Sequence, residues 1–126
     1  MKTKFSREWI KSKQPRKQRK YRSNAPLHVK QKFLHAHLSK ELRKKYGKRN
    51  IALRKGDSVK VMRGQFKNKI GKVDEASVKK AQVYVNGIEF VKRDGTKSRY
   101  PLQPSNLMIT ELNMDDKIRS KIIARK

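Results

Sequence analysis

The sequence predicts a mainly β protein: a small, strongly bent barrel, preceded by an extended basic arm and short basic helices and followed by a C-terminal helix. Three observations lead there. Apolar residues are concentrated in the middle of the chain, with 6 among the first 25 positions and 23 among the 60 from Ile51 to Thr110. From Ile51 the apolar period is two: Val59 and Val61 alternate with Ser58 and Lys60, Val83 and Val85 with Gln82 and Tyr84, Ile88 and Phe90 with Glu89 and Val91. Two dipeptides that tolerate positive φ, Asn86-Gly87 and Asp94-Gly95, separate these runs as hairpin turns would. Several short strands so close together favour a barrel.

Charge sets the function class. The 126 residues hold 36 Lys or Arg against 10 Asp or Glu, a net charge of +26. Self-repulsion of that size opposes a compact state unless a polyanion is present, and nucleic acid is the default partner. The excess is greatest at the start: residues 1–50 contain 18 basic and 2 acidic side chains. With no cysteine, disulfide scaffolds, thiolate metal sites and cysteine nucleophiles are excluded. No apolar run approaches the roughly 18 residues of a membrane span. The first residues lack the apolar stretch of a secretory signal, so none is expected.

Residues 1–25 are expected to be an extended arm, too poor in apolar side chains to offset its own ordering entropy without a partner. Residues 26–50 are expected to form short basic helices. Pro26 suits a first helical turn, and LHVKQKFLHAHL (27–38) places Leu27, Lys30, Leu34 and Leu38 near one stripe. Ser39 can cap a second helix, KELRKKYG, which carries Glu41 in its first turn, Lys44 and Lys45 in its last, and Gly47 as its stop. The barrel is expected over 51–112, with Pro101 and Pro104 confining its later part to an edge or irregular strand. Residues 113–126 read as a helix capped by Asn113 or Asp115, with Ile118, Ile122 and Ile123 on its apolar side.

The most informative stretch is GDSVKVMRGQFKNKIGKVDEAS (56–77): a basic strand, a basic loop with Gly64 and Asn68, then a second strand entered through Ile70-Gly71. Gly64 permits close backbone approach to a ligand, and Asn68 is the non-glycine residue best suited to the left-handed region. Arg63, Lys67 and Lys69 can meet phosphates, helped by exposed backbone N–H groups. Val59, Val61, Gly64, Gly71 and Val73 match a V-x-V strand, basic turn and Gly-x-Val pattern, and the stretch resembles the KOW motif of small SH3-like barrels. Asn68 stands where many members have glycine. The segments 12–28, 37–64 and 100–116 (SKQPRKQRKYRSNAPLH, HLSKELRKKYGKRNIALRKGDSVKVMRG and YPLQPSNLMITELNMDD) extend the likeness to nearly the whole chain. They resemble the archaeal-type large-subunit ribosomal protein 24 family, whose eukaryotic member is numbered twenty-six. The resemblance implies a structural constituent of the large ribosomal subunit, located in the cytoplasm, that binds large-subunit ribosomal RNA (rRNA) near its 5′ end. It also implies a role early in subunit assembly, a place near the polypeptide exit tunnel and neighbouring ribosomal proteins as further partners. Without the long basic C-terminal tail of many eukaryotic members, an archaeal source is expected.

The residues assigned to RNA are Lys13, Arg16, Lys17, Arg19, Lys20, Tyr21 and Arg22 in the arm; His28, Lys32 and His35 in the first helix; and Lys44, Lys45, Lys48 and Arg49 in and after the second. Arg54 and the loop residues Arg63, Gly64, Phe66, Lys67, Asn68 and Lys69 complete the set. Basic runs are often merely solvated or import signals, but attraction at this density favours RNA contact. Trp9 and Tyr21 either stack on bases or pack against protein. Phe66 is either a stacking residue or a plug in the barrel, with RNA proximity favoured. On a helix His35 and His37 point to nearly opposite sides, and no acidic or thiol ligand accompanies His28 and His35, so no metal or other cofactor is expected. The adjacent pairs Asp74-Glu75 and Asp115-Asp116 suit a bulge or turn and a helix start better than an acid–base couple, so the chain is read as no enzyme, with no small-molecule substrate and no membrane insertion. The alternatives are a KOW-type transcription elongation module, which normally has a separate globular domain that residues 1–50 are too polar to form, and a DNA-compacting protein, which explains charge but not the likeness along the chain.

Overall fold

The computed structural model describes residues 5–125, so the first four residues of the expected arm and Lys126 of the expected C-terminal helix lie outside the described residues. A 3₁₀ turn (Arg7–Lys11) and three helices, α1 (Pro15–Asn24), α2 (Leu27–Lys32) and α3 (Lys40–Tyr46), precede or interleave with the first strands. The strands are β1 (His35–Leu38), β2 (Asn50–Ala52), β3 (Ser58–Val61), β4 (Ile70–Ser77), β5 (Gln82–Val85), β6 (Glu89–Val91), β7 (Lys97–Arg99) and β8 (Leu107–Glu111). Helix α4 (Lys117–Ala124) closes the chain.

Six strands form one sheet in the order β2-β1-β8-β3-β4-β5, and β6 and β7 form a separate two-stranded ribbon. All pairings in the sheet are antiparallel except β1 with β8. The register shifts once between β3 and β8, at Ser58/Val59, and once between β4 and β5, at Val73/Glu75. Bulges of this kind increase local twist and bend a sheet toward closure. The bulge in β4 contains Asp74, as its acidic pair suggested. Alternate residues of β3, β5 and β8 point into one core that contains Val59, Val61, Val83, Val85, Leu107 and Ile109, as the period of two predicts. The fold is the expected mainly β, bent-sheet structure with helices.

Several elements differ in detail. The expected helix over 27–38 ends at Lys32, and residues 35–38 form β1. His-Ala-His-Leu also alternates, and pairing with β2 and β8 buries Ala36 and Leu38, a gain the helical stripe cannot match because Leu27 remains exposed. The sheet therefore recruits residues well before Ile51. The described part of the arm is helical rather than extended. Pro15 sits at the start of α1, and Gln18 Nε2 donates to the carbonyls of Trp9 and Ser12 at 2.9 and 2.7 Å. Tyr21 is buried, stacked on Phe5 at 5.2 Å and edge-on to Phe33 at 5.9 Å.

Helix α3 follows the sequence signals: the Ser39 hydroxyl accepts from the Leu42 N–H, and Gly47 ends the helix in the left-handed region. Asn86-Gly87 makes a turn but not a hairpin. Ile88 is buried and draws the chain off β5, so β6 pairs with β7 instead. Asp94-Gly95 does turn the β6–β7 hairpin. There the Asp94 carboxylate accepts from the Thr96 hydroxyl at 2.7 Å and N–H at 3.1 Å, which holds its pKa below the usual value. Gly71 lies so close to the β5 end that a Cβ there would sit 2.5 Å from the Asn86 carbonyl oxygen and 2.8 Å from Val85 Cγ1.

The cap of α4 is Asp116, not Asn113 or Asp115, and its inward face is Ile123 with Arg119, whereas Ile118 and Ile122 are exposed. The reason lies in the core. Arg119 makes a buried two-point ion pair with Asp57, and the same carboxylate accepts the backbone N–H groups of Arg54 and Asn113.

Candidate nucleic-acid interface

The loop between β3 and β4 is closed at its base by its own backbone. The Val61 N–H donates to Lys69 O at 2.9 Å, the Asn68 N–H to Val61 O at 2.8 Å and the Lys67 N–H to Gly64 O at 3.1 Å. Closing the turn places Asn68 at φ 69° and Gly64 at φ 92°, both left-handed, as the residue types anticipated. Nothing would meet a Cβ on Gly64 within 4 Å, so its backbone is open to a ligand. Arg63, Lys67 and Lys69 are exposed around it and pair with no carboxylate among the described residues. Of the two roles open to Phe66, stacking residue or plug, its burial fits the plug. It is buried and packs edge-on against Tyr100 at 5.0 Å, while Lys69 Nζ covers the ring at 5.2 Å, so it plugs the barrel and braces the loop.

The other assigned residues fall into three groups. On and just before α1, Lys13, Arg16, Lys17, Arg19, Lys20 and Arg22 are exposed in a helix without an acidic residue. Tyr21 is the exception, since both its neighbours are the aromatic rings of Phe5 and Phe33, which leaves little ring for a base. Trp9 is half-buried. Lys44 and Lys45 are exposed in the last turn of α3, where their charge suits the helix dipole, and Arg49 is exposed just beyond it.

A groove of about 910 Å³ brings together His28, Lys32, His35, Lys48 and Arg54, with the unanticipated Lys55, against the start of the C-terminal segment. Two of these cations also have partners within the protein. Arg54 pairs with Asp116, and Lys48 Nζ donates to the Ile122 carbonyl, so both hold α4 in place. His35 and His37 lie two apart on a strand and so share a side, the reverse of the helical expectation; His35 Nδ1 meets Asn50 Oδ1 at 3.2 Å. Among the described residues no three His, Asp or Glu side chains converge on a metal position. Asp74 and Glu75 both accept from Arg99, at 3.0 and 3.1 Å.

A second hollow, of about 240 Å³, lies where α1, α2 and the β4–β5 turn meet. Its Lys79 and Lys80 carry no signal in the sequence beyond being a lysine pair between two strands of period two.

Comparison with known proteins matches this chain to one family. The family model described as ribosomal proteins L26 of eukaryotes and L24 of archaea matches residues 12–126. The large ribosomal subunit protein uL24 of Methanothrix thermoacetophila is 52% identical over 114 residues, covering 90% of this chain and 98% of that protein. The protein of the same name from Methanosarcina barkeri is 51% identical over 114 residues, with the same 90% and 98% coverage.

Proposed function

The chain belongs to the family of eukaryotic ribosomal protein L26 and archaeal ribosomal protein L24, and from that premise we propose that it binds large-subunit rRNA through its β3–β4 loop and α1. Membership makes it a structural rather than catalytic component of the large ribosomal subunit, in the cytoplasm. The finer reading is that it contacts rRNA near the 5′ end, assists early subunit assembly, and lies near the polypeptide exit tunnel beside other ribosomal proteins.

The observation that best supports the RNA contact is the loop: three exposed cations on a braced hairpin, around a glycine whose backbone is open. Such a loop meets phosphates through side-chain charge and N–H dipoles, positioning the protein without reading bases. Lys13 and the α1 cations, with Lys44, Lys45 and Arg49 and the His28, Lys32 and His35 wall of the larger groove, would extend the contact across an rRNA fold. Affinity should therefore fall steeply with salt.

The test is sedimentation of the full chain with large subunits in high salt, followed by mapping of crosslinks from a photoreactive residue at Gln65. Retention on the subunit with crosslinks in the 5′ region of the rRNA is the expected result. Tracking RNA polymerase or bulk DNA instead would overturn the ribosomal reading, and crosslinks confined to other rRNA regions would overturn the 5′ placement.

A further inference from the structure

We infer that the hollow between α1 and the β4–β5 turn seats a segment of RNA phosphodiester backbone, held by Lys79 and Lys80 together with Arg19, Arg22 and Lys30. Five cations from three separate parts of the chain line this hollow, and among the described residues no carboxylate does. Gathering like charges around a concave surface costs free energy that a polyanion relieves. Two features hold the arrangement. The Arg22 guanidinium lies over the Phe33 ring, 5.7 Å from its centroid, which fixes one wall. Ala81 sits at φ 52°, a conformation that side-chain-bearing residues rarely adopt, in the turn that presents Lys79 and Lys80.

Size and continuity choose the occupant. At about 240 Å³ the hollow is too small for a protein helix, which is roughly 10–12 Å across with side chains, but it has room for a phosphate and its sugar. Arg19 also belongs to α1, so a strand seated in the hollow continues along the cations of that helix. The inference rests on the rRNA reading above and adds to it a contact at the opposite end of β4 from the loop cations.

Because the chain has no cysteine, a single introduced one gives a unique attachment point for an iron chelate that cleaves nearby sugars by hydroxyl radicals. Ser23→Cys at the rim of the hollow and Gln65→Cys on the β3–β4 loop would be probed in the full chain bound to folded archaeal large-subunit rRNA. Discrete cleavage from position 23 is expected. The pair Lys79→Gln and Lys80→Gln, both exposed, should leave melting unchanged and lower the slope of log affinity against log salt by about 1.4 to 1.8. Cleavage from position 65 but none from 23, with an unchanged slope, would overturn this inference and leave the rRNA reading standing. Failure of the wild-type chain to bind rRNA would overturn both. Competition by polyglutamate that depends on Lys79 and Lys80, with rRNA binding indifferent to them, would assign the hollow to an acidic protein segment and overturn the inference.

Discussion

Asp57 and Arg119, 62 residues apart, meet in the core: Arg119 Nη1 lies 2.6 Å from Asp57 Oδ1 and Nη2 lies 2.7 Å from Oδ2. Both side chains are buried, at 0% and 3% exposure. Arg119 also donates to the carbonyls of Asn113 and Ala52, and Asp57 accepts two backbone N–H groups, so the pair ties α4 to the entrance of β3. A buried pair adds little beyond what an apolar pair of similar volume would give, but losing one partner leaves an uncompensated charge.

Arg119→Met is therefore expected to destabilise the full chain by about 3–5 kcal/mol, since it strands the Asp57 carboxylate. Asp57→Asn should also destabilise it, and the double variant should lose clearly less than the sum of the two. Thermal unfolding of all three checks this. Strict additivity would show that the two groups do not act as a unit.

The strand that follows the loop depends on an absent side chain. Gly71→Val should cost about 2 kcal/mol or more, because its Cβ would press on the Asn86 carbonyl, which is backbone and cannot rotate away. Gly64→Ala has open space and a strained φ only, so it should cost about 1 kcal/mol. Urea unfolding of the two variants gives the ranking; a larger loss at Gly64 would contradict the close approach of β4 to the end of β5.

Which features the sequence disclosed follows from how local their causes are. Val59-Val61 and Val83-Val85 alternate because each strand has one buried face, and Ser39 and Gly47 cap α3 with groups only a few residues away. β1 was hidden because its four residues satisfy a helical stripe too, and its partner strand β8 lies far along the chain, as in His37 against Met108. Phe66 reads as exposed among charges until Tyr100 arrives to cover it. Arg119 looks like one more surface cation because Asp57 is distant in sequence. The site follows the same division. Exposed loop cations were legible since exposure asks nothing of the rest of the fold, whereas Lys79 and Lys80 gain meaning only when α1 is placed beside them.

Replacing Arg63, Lys67 and Lys69 together with Ala should leave the melting temperature nearly unchanged, because exposed charges contribute little to stability. rRNA binding should weaken, and its salt slope should fall by about 2 to 3, as three phosphate contacts would require. Filter binding over a salt series decides it. Equal affinity of variant and wild type would remove the loop from the interface.

In α1, charge and docking fall on different sides of the helix. Positions three and four apart share a helix face, so Arg16, Arg19 and Lys20 lie together, on the side away from the buried Tyr21. A phosphate strand can meet that face while Tyr21 keeps the helix seated on Phe33. Changing Arg16, Arg19 and Lys20 to Gln should therefore lower the salt slope on folded rRNA by about 2 to 3 and leave melting alone. Tyr21→Ala should do the opposite: it removes a buried aromatic contact, worth about 0.5–1.5 kcal/mol beyond the area it covers, and lowers the melting temperature with little change in slope. If Tyr21 instead stacked on a base, its replacement would weaken RNA binding at constant melting temperature. Duplex DNA is the control ligand. A protein shaped for rRNA should lose more on the folded RNA than on DNA when the three cations go, because α1 presents them as an ordered face. Equal losses on both ligands would reduce the contribution of α1 to charge alone.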